Sequence, residues 1–183
     1  YGDRSRTQAE HWFEGKTYSF PELVEARAEE HFERECTDEK FLSRFEACQK
    51  AIAHLSETLR RAAPDVCIIF GDDQHEVYSD DNMPPIAIYH GATVDDAPNG
   101  RRGGYGGRAA FRDPSIDNAP PDRRSHPAEA ELGEYLIEAL TANEFDVART
   151  NALRGRLDGA IGHAFHYVYR RLMNNNMIPH VPV

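Results

Sequence analysis

An α/β fold is what this sequence predicts, with a mostly parallel sheet flanked by helices and a helical N-terminal segment. Three observations predict it. "DVCIIF" at 65–70 is a continuous apolar run of the kind found in strands buried on both faces. After it, strand-like and helix-like segments alternate to the last residue. Before it runs a long stretch with helical periodicity.

Residues 1–20 are polar with scattered aromatics and predict an irregular lead-in. "SFPELVEARAEEHF" at 19–32 then starts a helix: Ser19 caps, Pro21 sits in the first turn and Glu22 stands three residues after the cap. A second helix is predicted from Asp38 to Ala62. Phe41, Phe45, Cys48, Ile52, Leu55 and Leu59 form one apolar stripe along it, and Pro64 ends it. The Cys67–Phe70 run is the first sheet strand and "PIAIYH" at 85–90 the second. Gly91 to Pro127 is rich in Gly, Pro, Asp and Arg and shows no pattern of its own, which predicts a functional or disordered loop. A helix over 128–142 places Leu132, Tyr135, Leu136, Ala139 and Leu140 on one side. "FDVART" at 145–150 is a strand, "GHAFHYVYRRLM" at 162–173 a helix after a glycine turn, and "IPHVPV" at 178–183 a closing strand in which His180 is an interior histidine.

The 183 residues suffice for one domain with a sizeable core, with the 91–127 loop inside it. The start at Tyr1 and the stop inside a strand pattern predict a fragment of a longer polypeptide. No apolar run approaches the roughly 20 residues of a membrane span. Cys36, Cys48 and Cys67 are odd in number and form no CxxC pair, which fits a reducing compartment. A formal net charge of -10 argues against general binding to duplex nucleic acid.

The chemistry concentrates after Phe70, where Gly71, Asp72, Asp73, Gln74, His75 and Glu76 follow at once. In parallel sheets, ligands sit at the carboxyl ends of strands. Asp, Glu and His together suit Fe(II), Mn(II) or Zn(II). The plainer reading is a turn in which Asp72 and Asp73 cap backbone amides while His75 and Glu76 meet water. His163 and His166 stand three apart, a spacing that can bind a metal on a helix but more often leaves one ring packed and the other exposed. At a helix start, His163 is expected to have a lowered pKa and to be neutral. "RRGGYGGR" at 101–108 reads as a mobile surface loop, as a single RGG-type repeat able to stack on single-stranded bases through Tyr105 and Arg108, or as a lid whose Arg101, Arg102 or Arg108 meets an anionic substrate. Nucleotide-cradling glycine motifs and the GxSxG hydrolase motif are absent.

The block "DVCIIFGDDQHEVYSDDNMPPIAIY" resembles the catalytic subunit of class III extradiol ring-cleaving dioxygenases, the protocatechuate 4,5-dioxygenase β-subunit type. There, an apolar strand leads into an Asp-containing turn with a metal ligand, then an aromatic, a DN-x-P element and a second strand. The matching residues are Asp73, Tyr78, Asp81, Asn82 and Pro84. "GAIGHAFHYVYRRLM" and "IPHVPV" are similar to that family's segment with an active-site histidine, a helix and a core strand. "HWFEGKTYSFPELVEARA" is similar to the gallate and 3-O-methylgallate dioxygenases.

The resemblance implies an oxidoreductase of aromatic compound degradation, cytoplasmic, that opens a catechol- or gallate-type aromatic acid with Fe(II) and O2. It implies a catalytic role for His163 as a second active-site histidine that hydrogen-bonds substrate or oxygen, at most one of His75, Gln74 and Glu76 as a metal ligand, and Asp73, Asn82, Arg101 and Arg108 as substrate-binding residues. The family's ligand position falls on Gln74, a poor ligand for Fe(II), with His75 one place later. Its remaining ligands and main catalytic histidine have no counterpart in these residues. The partners expected are a small aromatic substrate and O2, with a homo-oligomer or the rest of the same polypeptide beside them, and neither membrane nor nucleic acid. The alternative is a metal-free, dioxygenase-like binding or scaffold protein.

Overall fold

The structure is a computed structural model that describes residues 10–98, 118–155 and 158–183. The chain divides into two compact units, Tyr1–Lys50 and Ala51–Val183.

In the first unit, β1 (His11–Phe13) and β2 (Lys16–Tyr18) pair antiparallel, with Trp12 opposite Thr17. Glu14 and Gly15 between them have φ of 47° and 78°, the left-handed pair that a two-residue hairpin turn requires. The described part of the lead-in therefore holds a hairpin and is not irregular; three-residue strands are too short to show a period. In α1 (Phe20–Ala26), the Ser19 N–H donates to Glu22 Oε2 at 2.8 Å and Ser19 Oγ faces the Glu22 N–H, the capping box read from the sequence. Arg27 stacks over the rings of Phe13 and Phe32 at 4.5 and 4.4 Å. Helix α2 (Asp38–Ala62) has the predicted bounds, and its Phe41 and Phe45 are exposed.

In the second unit, β3 (Cys67–Ile69) pairs parallel with β8 (His180–Pro182), and β4 (Ala87–Tyr89) pairs parallel with β7 (Ala148–Thr150). β5 (Thr93–Asp96) and β6 (Arg124–Pro127) are antiparallel. Besides the end of α2, this unit holds the helices α3 (Ala130–Ala142) and α4 (His163–Tyr167), the latter running on as a π-helical turn over Val168–Leu172. This is a mixed α/β fold whose strands, among the described residues, form four two-stranded sheets. The large parallel sheet expected from the sequence is not what these pairs show.

Strand β3 departs from expectation in one more respect. Ile69 is buried, but Ile68 and Phe70 are 44% and 79% exposed, so the run is not buried on both faces. β3 has β8 on one side and no second ladder among the described residues. The expected patternless loop also holds β5 and β6 at its two ends. Their polar sequences, "TVDD" and "RSHP", hide the alternation that buries Val94 and Asp96. On α3, Tyr135 faces solvent, while Ile137 joins Ile88 and Val181 in one core cluster. A larger cluster holds Ile69, Tyr89, Val94, Ile161, Tyr169 and Met173. Neighbours Ile88 and Tyr89 thus serve opposite faces of β4.

A buried polar knot ties β5 and β6 to α4 and its continuation. Asp96 is fully buried, and its Oδ2 accepts from Arg170 Nη2 at 2.5 Å and from His126 Nε2 at 3.2 Å. His166 Nε2 lies 3.0 Å from Asp96 Oδ1, close enough for ionic contact but off hydrogen-bond alignment. Burial, the largest influence, pushes the Asp96 carboxyl up; the facing His166 and Arg170 outweigh it and hold the group below the usual carboxylate value. His180 is fully buried: Nδ1–H donates to the Ile178 carbonyl at 3.0 Å, so Nε2 accepts the Tyr169 hydroxyl at 2.6 Å. Burial, then the charge of Asp96, drives the Tyr169 hydroxyl far above the ordinary phenol range.

Candidate functional site

The turn after β3 is organised by Asp73. Its Oδ1 accepts the N–H groups of Glu76 and Val77 at 3.0 and 2.9 Å, and its Oδ2 accepts that of Tyr78 at 2.9 Å. A carboxylate that gathers three consecutive backbone donors folds the chain tightly around itself. His75 is in the left-handed region at φ 61°. Its Nε2 lies 3.6 Å from Asp80 Oδ1. Gln74 Nε2 donates to Asp72 Oδ2 at 2.7 Å, and Asn82 Oδ1 accepts the Ser79 N–H at 2.8 Å.

Glu76 leaves this turn in a different direction. His163 Nδ1 is 2.8 Å from its Oε2, and the His163 main-chain N–H donates to the same oxygen at 3.1 Å. The carboxylate is only 12% exposed, the imidazole 42%. Gly162 makes the approach feasible, because a methyl group there would overlap Glu76 Oε2. The hydrogen bond to Glu76 raises the His163 pKa; burial opposes it, and the charges of Glu76, Asp72 and Asp73 add to it. The shift is opposite to the lowering expected at a helix start: α4 is short, and a carboxylate in contact outweighs its end.

Beside the pair lies a cavity of about 500 Å3. Phe70, Val77, Tyr78, Ile86, Ile161 and Phe165 supply much of its apolar wall, and Asp72, Asp73, Thr150 and Gly162 also line it. The Tyr78 hydroxyl is pushed up by burial and then by Asp73. The polar turn and the start of α4 therefore meet at one place, although 87 positions separate Glu76 from His163. Glu76 and His163 flank the cavity without lining it, and Gln74, His75 and Asn82 do not line it either. Arg101, Arg102, Tyr105 and Arg108 lie outside the described residues, as does the middle of the 91–127 loop.

The three candidate ligands do not converge. Gln74 faces Asp72, His75 faces Asp80 and Glu76 holds His163. Among the described residues no three His, Cys, Asp or Glu side chains are grouped to hold one ion. Among the described residues, then, Gln74, His75 and Glu76 do not gather around one point. The pair His163 and His166 separates too, one ring on Glu76 and the other buried against Asp96. Sequence reasoning did not find the partnership of Glu76 with His163, nor the Asp96 knot. The one available hint was Gly162 before His163, a residue with room for a neighbour. No protein-family profile matches this chain, nor does any curated protein.

Proposed function

We propose that this chain carries the substrate cavity of a class III extradiol-type dioxygenase, a cytoplasmic enzyme that opens a catechol- or gallate-type aromatic acid with O2. The observation that carries the reading is the Glu76–His163 pair beside a largely apolar cavity of about 500 Å3, within the range of small-molecule sites. Two parallel strand pairs, β3–β8 and β4–β7, support the α/β part of the reading. In this reading His163 is the residue that exchanges a proton with a ring hydroxyl. Fe(II), which the resemblance implies, would take its ligands from outside the described residues, and no step is assigned to it. The test is anaerobic Fe(II) loading of the complete protein, followed by O2 uptake with a series of gallate-like catechols. Uptake with iron bound at a stoichiometric level is the expected result; no uptake and no bound iron overturns it.

A second reading, a metal-free binding or scaffold protein, is favoured by the way Gln74, His75 and Glu76 turn to three separate partners. Catechol binding by iron-free protein, without turnover after loading, supports that reading over the first.

A further inference from the structure

We infer that Glu76 is a positioning residue for His163: it fixes the ring as the Nδ1–H tautomer and leaves Nε2 for a hydroxyl or phenolate oxygen of a ligand bound beside the pair. The choice of a catechol-type ligand rests on the function proposed above; the positioning rests on the geometry alone.

A carboxylate accepts and does not donate, so the 2.8 Å contact requires hydrogen on His163 Nδ1. The same Glu76 oxygen accepts the His163 main-chain N–H at 3.1 Å. Two donors from one residue fix the carboxylate and the ring relative to each other, as a lone side-chain contact does not. Glu76 is fixed in turn from its own backbone, because Asp73 Oδ1 holds its N–H at 3.0 Å. The pair is also asymmetric. Glu76 is largely covered, whereas His163 keeps an open side. Nε2 has no hydrogen-bond partner among the described residues. A histidine oriented through one nitrogen by a carboxylate and free at the other is the arrangement used for acid–base work on a ligand oxygen. Gly71, Asp72 and Asp73 before Glu76, and Gly162 and Phe165 around His163, line the cavity itself.

A simple cap on the start of α4 is the competing account, and the tautomer separates the two. In protein labelled with 15N at imidazole, studied at a pH where His163 is neutral, long-range proton–nitrogen couplings should show hydrogen on Nδ1. Glu76→Ala should release the ring toward the Nε2–H form that an unrestrained imidazole favours. Glu76→Gln, whose amide oxygen still accepts, should keep the original tautomer. With 4-nitrocatechol as probe, whose visible spectrum reports its ionisation, Glu76→Ala should weaken binding roughly tenfold and Glu76→Gln much less. A wild-type ring with hydrogen on Nε2 overturns the inference without recourse to any variant. So does a Glu76→Ala protein that binds the probe as tightly as wild type. If wild type does not bind the probe at all, the catechol reading falls, while the tautomer still decides the role of Glu76.

Discussion

Two carboxylates in this molecule each hold histidine, and they do so in opposite ways. Asp96 is sealed in the core with Arg170, His126 and His166 gathered on it. Glu76 holds one imidazole that is 42% exposed and stands next to a cavity. In the first cluster a guanidinium supplies permanent positive charge and the rings are walled in, so the chemistry is confined to holding β5, β6 and α4 together. In the second, no arginine is among the contacts made by the described residues, and the histidine is the more open partner of the pair. Burial and the identity of the counter-charge, more than the presence of a His–carboxylate pair, separate a structural knot from a candidate active site.

The largest expected effect lies in the knot. Asp96→Ala leaves Arg170 buried without its counter-charge, and denaturant unfolding should show a loss of about 3–5 kcal/mol. A loss below about 1 kcal/mol would mean that the knot is not closed and that the contrast with Glu76 fails. Its pH dependence runs opposite to that of the other cluster. The Asp96 carboxyl is held low, so its contribution is present above the ordinary aspartate value and fades as pH falls through the folded one.

Next in size is the turn. Asp73→Ala removes the acceptor of three backbone N–H groups, and part-buried donors left unpaired should cost about 1–3 kcal/mol in the same measurement. Because that turn carries Glu76, the His163 ring signals should move as well. Unchanged ring signals would separate the turn from the site. The smallest effect belongs to His75→Ala, expected within about 0.5 kcal/mol, since its side chain has only a loose contact with Asp80. A loss of bound iron on that change would identify His75 as a ligand.

The parts legible in the sequence are those governed by local rules. Helix α2 was readable because an apolar stripe recurs over many turns, and α1 because Ser19, Pro21 and Glu22 state the cap in four residues. His180 was readable as an interior residue from its place in an apolar strand. The β5–β6 pair was not, because Asp95 and Asp96 read as loop chemistry until Arg123 and Arg170 are brought to them from 28 and 74 positions away. The same holds for the site. The acids and histidine after Phe70 announced a polar turn, but spacing along the chain suggested a metal among neighbours. The structure instead sends Glu76 to a residue in a different element, a long-range pairing for which no local pattern exists. β3 misled for a related reason: an apolar run states what a strand tolerates, not how many partners it has.

The central claim is that the turn after β3 and the start of α4 form one site through Glu76 and His163. A double-mutant cycle of Glu76→Gln and His163→Gln, read as unfolding free energy against pH, tests it most directly. The folded His163 pKa is raised, so the coupling should be fully present below the unfolded value of about 6.5 and be lost as pH rises through the folded one. With the imidazole 42% exposed, solvent screening limits the expected coupling to about 0.5 kcal/mol. A cycle that closes with no coupling at any pH, or a coupling that grows as pH rises, would contradict the account.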